Sequence, residues 1–475
     1  MSSELRQKAL RLFKSSFDSS PCFTAYAPGT ITLLGNGRDE DDGNAVSVAI
    51  GMGTVVAGTL VAGNVCRIVS DRTETIEEFK GDSSLAPNAH SDWINLLCGV
   101  VREFITRFNK EEIGFDVAVV SDIPFEHGMG WTSSVGAAMS LFLEHALMVV
   151  QSPEERSSLC VSAERQFVPS SVDRVGAFTA SCSQRDSLLF VNCHASEGEW
   201  MPLDPSICLL VCKCGDSLDG NDIVVNTNAT ATNATATNAT STTTAATTPT
   251  TTPTPTTTIL TTLQSSYSQL TSLSDATPDQ VEAMRKELGS TYPLAYHLVS
   301  EEQRVQSCKE AMEAKDYDRV GSLLIESHAS LRDNTSVTSP NVDSLVEIAI
   351  EQTGVLGARF TGDDCVACLV ESSQAKGVMK AIEADYKERT GVSCSVFVCN
   401  PSQGAHLLQE EGAVEKRLWQ RPLFWVGVAS VAAAATMVVL RSRRSCCVCL
   451  QTYSYSLMSI LAILFHNLHI INPIL

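Results

Sequence analysis

Three short stretches combine glycines, hydroxyls and charges in patterns that suit tight turns and anion contacts. The first is Ala27-Pro28-Gly29-Thr30-Ile31-Thr32-Leu33-Leu34-Gly35, followed by an acidic loop from Asp39 to Asp42. Proline and glycine there set an extended entry and a sharp turn. The acidic loop can hold hydroxyls or a cation, or simply carry solvated charge. The second is Gly128-Met129-Gly130-Trp131-Thr132-Ser133-Ser134, directly before a helical pattern. Glycines let a ligand approach the backbone, hydroxyls cap the helix, and free amides at its start attract phosphate. Taken alone, it also reads as an ordinary capped helix. The third, Gly354-Val355-Leu356-Gly357-Ala358-Arg359-Phe360-Thr361-Gly362, reads as a turn entering a strand.

The elements that must position these stretches follow from periodicity. Thr54–Val61 and Phe115–Val120 read as strands, and Trp93–Phe108 and Ser134–Val150 as helices with apolar residues every three to four positions. Further on, helices are expected at His297–Ala314, Tyr317–Ser327, Pro340–Gln352 and Ala375–Thr390. Strands are expected at Ala358–Thr361, Cys365–Val370 and Ser393–Cys399. This alternation predicts an α+β fold, and 475 residues suffice for two packed lobes. A polar, amphipathic helix is expected over Met1–Phe17, without the apolar core of a signal peptide.

Composition narrows the partners. With 54 acidic and 34 basic residues the net charge is −20, which repels phosphate backbones and argues against nucleic acid as a partner. The 17 cysteines follow no disulfide rhythm. In runs such as Leu209-Leu210-Val211-Cys212 they read as small buried hydrophobes, and Cys212 with Cys214 lacks the second pair that zinc needs. The usage fits a reducing cytosol.

Two segments break the globular pattern. Residues 226–290 are expected to be a disordered low-complexity insertion, rich in Thr and Asn around Asn-Ala-Thr repeats at Asn228, Asn233 and Asn238, with a helix admitted only at Pro278–Leu288. Near the C-terminus, Leu423–Leu440 is an uncharged run of 18 residues framed by Arg421 and by Arg441, Arg443 and Arg444. It is expected to cross a membrane as a helix, keeping the main body in the cytoplasm. Residues 406–422 would then be a juxtamembrane linker, and 441–475 a hydrophobic tail with the cluster Cys446, Cys447 and Cys449.

In order and spacing the three stretches resemble the signature motifs of the small-molecule kinases that include galactokinase, homoserine kinase and mevalonate kinase. The likeness to galactokinases rests on two further elements. His297-Leu298-Val299-Ser300-Glu301 with Arg304-Val305 resembles their His-x-x-Ser-Glu-x-x-Arg-Val, and Ser327-His328-Ala329-Ser330-Leu331-Arg332-Asp333 their Ser-His-x-Ser-Leu-Arg-Asp. The resemblance covers about 22–405 apart from the insertion, and implies lobes at 1–200 and at 201–225 with 291–405. It implies ATP and Mg²⁺ as cofactors, a sugar as substrate, and γ-phosphate transfer to the sugar's anomeric hydroxyl in the interlobe cleft. Carried over residue by residue, it makes Asp39 a sugar contact. It makes Gly128, Gly130, Thr132, Ser133, Ser134 and Gly362 nucleotide contacts, and Ser134 a metal ligand.

The departures from that pattern fall on the chemistry. Thr30 stands where the first motif has arginine, and Gly35-Asn36-Gly37-Arg38-Asp39 replaces Gly-Glu-His-Thr-Asp. Counting nine residues on from Phe167, or 17 back from Cys193, puts Gly176 at the position of the catalytic aspartate, with Asp173 three residues away. Ile223 replaces a sugar-stacking tyrosine, Trp131 enters the Gly-Ser loop, and Gly362-Asp363-Asp364-Cys365-Val366 replaces a glycine run. Loss of one placed electrostatic group costs ~10²–10³ in rate, and loss of a base ~10²–10⁴. The sequence therefore predicts a galactokinase-like chain with weakened or lost activity. The alternative is a silent sugar- or nucleotide-binding sensor or scaffold at a membrane surface.

Overall fold

The computed structural model describes residues 2–35, 43–73, 75–87, 91–124, 128–168, 172–215, 254–362 and 364–408. Helix α1 (Ser2–Phe17) buries Leu5, Ala9 and Phe13, one residue per turn, as the amphipathic pattern predicts. Strands β1 (Phe23–Gly35), β2 (Asn44–Val61), β3 (Val65–Ser70) and β4 (Ile76–Lys80) lead to α2 (Asp92–Arg107) and β5 (Gly114–Ser121). Helices α3 (Trp131–Ala146), α4 (Pro153–Phe167) and α5 (Arg174–Cys182) follow, then β6 (Ser187–Asn192) and β7 (Glu197–Pro202). Helix α4 starts where sequence says it must: Ser152 and Glu155 form a reciprocal capping box and Pro153 takes the first turn.

The second half supplies β8 (Ile207–Cys214), short helices α6 (Pro255–Gln264), α7 (Pro278–Ala283) and α8 (Arg285–Leu288), and long helices α9 (Tyr292–Ala314) and α10 (Tyr317–Ser330). It ends with α11 (Pro340–Glu351), β9 (Val355–Gly362), β10 (Cys365–Glu371), α12 (Ala375–Thr390), β11 (Cys394–Cys399) and β12 (His406–Leu407). An eight-stranded sheet runs β12-β1-β2-β5-β3-β4, with β6 on β2 and β7 on β6; a four-stranded sheet runs β11-β8-β10-β9.

The smaller sheet explains its cysteines. Central strand β10 is buried on both faces, so Cys365 and Cys368 sit among valines and leucines as small apolar residues. One face, with Leu209, Val211, Cys365 and Ala367, joins a core shared with the larger sheet. The other, with Leu210, Cys212, Val366 and Cys368, packs under α11 and α12. The mixed α/β architecture is thus as expected.

Three expectations change. Part of the insertion taken as disordered, from Thr254 to Gly289, is helical and ordered by its own core: Ile259, Leu263, Val281, Met284 and Leu288 close on Ala295 and Val299 of α9. Leucines at helical spacing supply enough apolar surface there, whereas the Asn-Ala-Thr repeats at 226–253, like Ile223, lie outside the described residues. His406 and Leu407, taken as the start of a linker, pair with Tyr26 and Ala25 as an edge strand of the first sheet. Helix α3 begins at Trp131, so Thr132, Ser133 and Ser134 are inside it. No helix among the described residues is long and apolar enough to cross a membrane. The expected span at 423–440 and the tail at 441–475 lie outside those residues.

Candidate active site at the meeting of three motifs

The three motif stretches, far apart along the chain, touch one another. The Thr30 amide donates to the Met129 carbonyl at 3.0 Å. Gly130 has φ 65°, and a methyl group placed on it would lie 2.0 Å from Thr30 Oγ1. Gly128 also has positive φ, and a methyl group there would lie 2.8 Å from the carbonyl carbon of Gly362. Both glycines are therefore required, by handedness and by close approach. Gly130 is the N-cap of α3 and brings no side-chain cap, leaving that helix start suited to an anion.

Ser134 is fully buried, and its hydroxyl donates to the Ala27 carbonyl at 2.8 Å and meets Thr54 Oγ1 at 2.9 Å. It ties α3 to β1 and β2, which is a packing role and not the open ligand position expected of a metal contact. Trp131 is 8% exposed and lies under the Arg72 guanidinium, 5.7 Å from the ring centroid. Arg72 also donates to the Ile123 carbonyl at 2.5 Å. Its place beside the motif was not legible in the sequence, because nothing in a chain order links 72 to 131.

At Gly176, where the resemblance places a catalytic aspartate, another acid comes close in space. Asp173 caps α5, accepting the Gly176 amide on Oδ1 at 2.8 Å. A methyl group on Gly176 would begin 2.0 Å from Asp173 Oδ2 and 2.6 Å from Ser133 Oγ. The Asp173 carboxyl thus lies in the volume that a side chain at 176 would enter, facing the second motif. Burial pushes its pKa up, opposed by the Gly176 amide and the Ser133 hydroxyl.

The loop that carries Asp39 lies outside the described residues, but both its ends are held. Glu301 on α9 accepts the Gly35 amide at 3.0 Å, and its neighbour Glu302 accepts the Asn44 amide at 2.8 Å. Glu301 is 2% exposed and also meets Ser327 at 2.7 Å, Arg304 at 2.7 Å and Arg359 at 3.3 Å. Burial raises its pKa most strongly of any one cause, but Arg359, Arg304, His297 and the Ser327 hydroxyl together outweigh it and hold it at about 2. Arg359 of the third motif reaches on to the carbonyls of Thr32 and Gly35. His297 bonds Ser330 at 2.9 Å, with its pKa depressed to about 4 by burial. The two elements that carried the resemblance are therefore a buried frame that fixes the end of β1. A cavity at the foot of the loop is lined by Gly35, Asn44, Glu302, Thr257 and Ser272 among others.

Comparison with known proteins bears on this geometry directly. The galactokinase galactose-binding signature matches residues 11–60, and the C-terminal signature of GHMP kinases matches 308–388. Curated galactokinases of Actinobacillus succinogenes and Mannheimia succiniciproducens are each 26% identical, over 84% of this chain and 99% and 98% of their own. Together these matches support assignment of the chain to the galactokinase/GHMP kinase family. The same fold occurs in Lactococcus lactis galactokinase complexed with galactose, with TM-score 0.72, 21% identity and coverage of 84% of this chain and 98% of that one. Methanococcus jannaschii mevalonate kinase shares it more distantly, with TM-score 0.50, 12% identity and coverage of 80% and 98%.

Within this kinase frame the sequence-derived residues divide. Gly128, Gly130, Thr132, Ser133 and Gly362 come together at one junction, with Asp173 beside Ser133. Asp39 and Asp363 are outside the described residues. Glu302 was missed, and its signal was weak: a second carboxylate beside Glu301, readable only once its distance to Asn44 is known.

Proposed function

We propose that this chain is an ATP-dependent sugar 1-kinase of the galactose class, slowed by its substitutions, in which Asp173 stands in for the absent aspartate at 176. The observation that carries the reading is the Asp173 carboxyl lying within 2.0 Å of where a side chain on Gly176 would start, against Ser133. The anomeric hydroxyl of the sugar attacks the γ-phosphorus, the new O–P bond forms as the bond to ADP breaks, and the proton passes to Asp173. A raised carboxyl pKa makes that transfer easier at neutral pH. The uncapped start of α3 faces the phosphates with its amides, which is the electrostatic share of the work.

The family uses ATP with Mg²⁺. Mg²⁺ keeps several waters and takes one or two protein oxygens plus substrate phosphates. Ser133 Oγ, at the start of α3, fits that demand, whereas Ser134 is committed to packing and Asp173 to the proton. Bound there, the ion would offset phosphate charge. Thr30 cannot do so, and its neutrality is the reason for slow turnover, ~10²–10³ below a chain with arginine there.

A second reading, a silent sugar- or nucleotide-binding protein, draws on Thr30 and on Asp364 in the third motif. Sugar-dependent ADP release by the purified full chain decides between them. Release above background that is lost in Asp173→Asn supports the kinase. Binding of galactose or MgATP without any release supports the sensor. We further propose that residues 423–440 hold the body at a membrane, on the strength of their 18 uncharged positions between arginines.

A further inference from the structure

The first motif has lost its cation, yet a triphosphate carries several negative charges into the same junction. Lys213, on β8, offers another source. It is 7% exposed, an unusual degree of burial for a lysine. In register it faces Cys365 on β10, and Cys365 in turn faces Gly362 on β9. The three residues form one row across the small sheet, with a β-bulge in β9 next to Gly362, and the side chains of Lys213 and Cys365 share a face.

That face is identified by its neighbours. Leu209 and Val211, two and four residues back along β8, belong to the core shared with the large sheet, as do Cys365 and Ala367. Arg359, on the same face of β9, donates to the carbonyls of Thr32 and Gly35 in β1. Lys213 therefore lies on the face turned to the core shared with the large sheet and not on the face under α11 and α12. It also stands in the row that ends at Gly362, two strand spacings or about 10 Å away. Gly362 is the residue whose backbone abuts Gly128 of the phosphate-type loop.

We propose that Lys213 supplies the positive charge that the triphosphate meets in this chain, in the role that Thr30 cannot fill. The inference rests on the kinase reading. A lysine suits the place: its ammonium is a compact point charge on a flexible stem that reaches out of a strand row toward phosphate.

The test is equilibrium binding of MgATP and of galactose to the full chain by calorimetry, for wild type, Lys213→Met, Lys213→Arg and the double variant Lys213→Met/Thr30→Arg. The expected result is that Lys213→Met binds MgATP at least about tenfold more weakly, while Lys213→Arg stays within about threefold and the double variant regains affinity. Galactose binding should not move. Equal MgATP affinity in wild type and Lys213→Met would overturn the proposal while leaving the kinase reading intact. Loss of folding in Lys213→Met with folding kept in Lys213→Arg would assign the charge to closing the 362–365 turn, and would also overturn it. Absence of MgATP binding by the wild type would remove the kinase reading and this inference with it.

Discussion

The carboxyl of Asp173 occupies the volume that a side chain on Gly176 would enter, 2.0 Å from the start of that side chain. The two positions are mutually exclusive for an acid. A glycine at 176 is what lets an N-cap aspartate turn its free oxygen toward Ser133.

Asp173→Asn separates the cap from the chemistry. Asparagine caps a helix as well as aspartate does, so the melting temperature should hold. Turnover should fall by ~10²–10⁴. An ADP-release assay beside a thermal melt checks both. Equal turnover in the variant would sink the assignment.

Gly176→Ala should be the more damaging change to structure. The added methyl meets Asp173 Oδ2 at 2.0 Å and Ser133 Oγ at 2.6 Å, so the cap must open. Overpacking of this kind costs about 1–3 kcal/mol. Chemical denaturation measures it, and pairing the change with Asp173→Ser should recover part of the loss.

Glu302→Ala releases one end of the loop that carries Asp39, because the Asn44 amide loses its acceptor. Galactose affinity should weaken about tenfold, the worth of a charge-assisted hydrogen bond, while MgATP affinity stays level. Calorimetry with each ligand distinguishes this from general destabilisation.

Acid should unfold the frame in two stages. His297 has its folded pKa depressed to about 4 from 6.5, so the unfolded chain takes up its proton first. The associated stability is complete above pH 6.5 and lost as pH falls toward 4, at most about 3 kcal/mol. Glu301, held at about 2 from 4.5, adds a further loss between those values. Melting temperature followed from pH 7 to pH 3 should decline throughout, and His297→Gln should flatten the first stage. Arg359→Met, which strips Glu301 of a buried partner, should cost about 3–5 kcal/mol at neutral pH.

Flotation with liposomes tests the tail. The full chain should float with the vesicles, and a chain lacking residues 420–475 should stay with the soluble fraction. Flotation of both would place the membrane contact elsewhere.

Many elements of the body were legible in the sequence, because hydrophobic period alone separates α9 from β10, whereas α4, despite its capping box at Ser152 and Glu155, was not picked out. The three motif stretches and the two C-terminal elements were also legible as a kinase pattern. The helical part of the insertion was not. Its leucines sit among serines and threonines, and only packing against Ala295 and Val299 gives them a core.

What tertiary structure alone decided is which charges meet. Glu301 and Gly35 are 266 positions apart, and no periodicity links them. Counting along the chain put the missing acid at Gly176 and found nothing there. The turn into α5 carried Asp173 back over the same spot, because a helix cap folds its side chain onto the amide three residues ahead. Sequence fixes which side chains exist and how each segment coils, through local sterics and solvation. Which of them share a site depends on long-range packing, and that is settled only when the chain closes on itself.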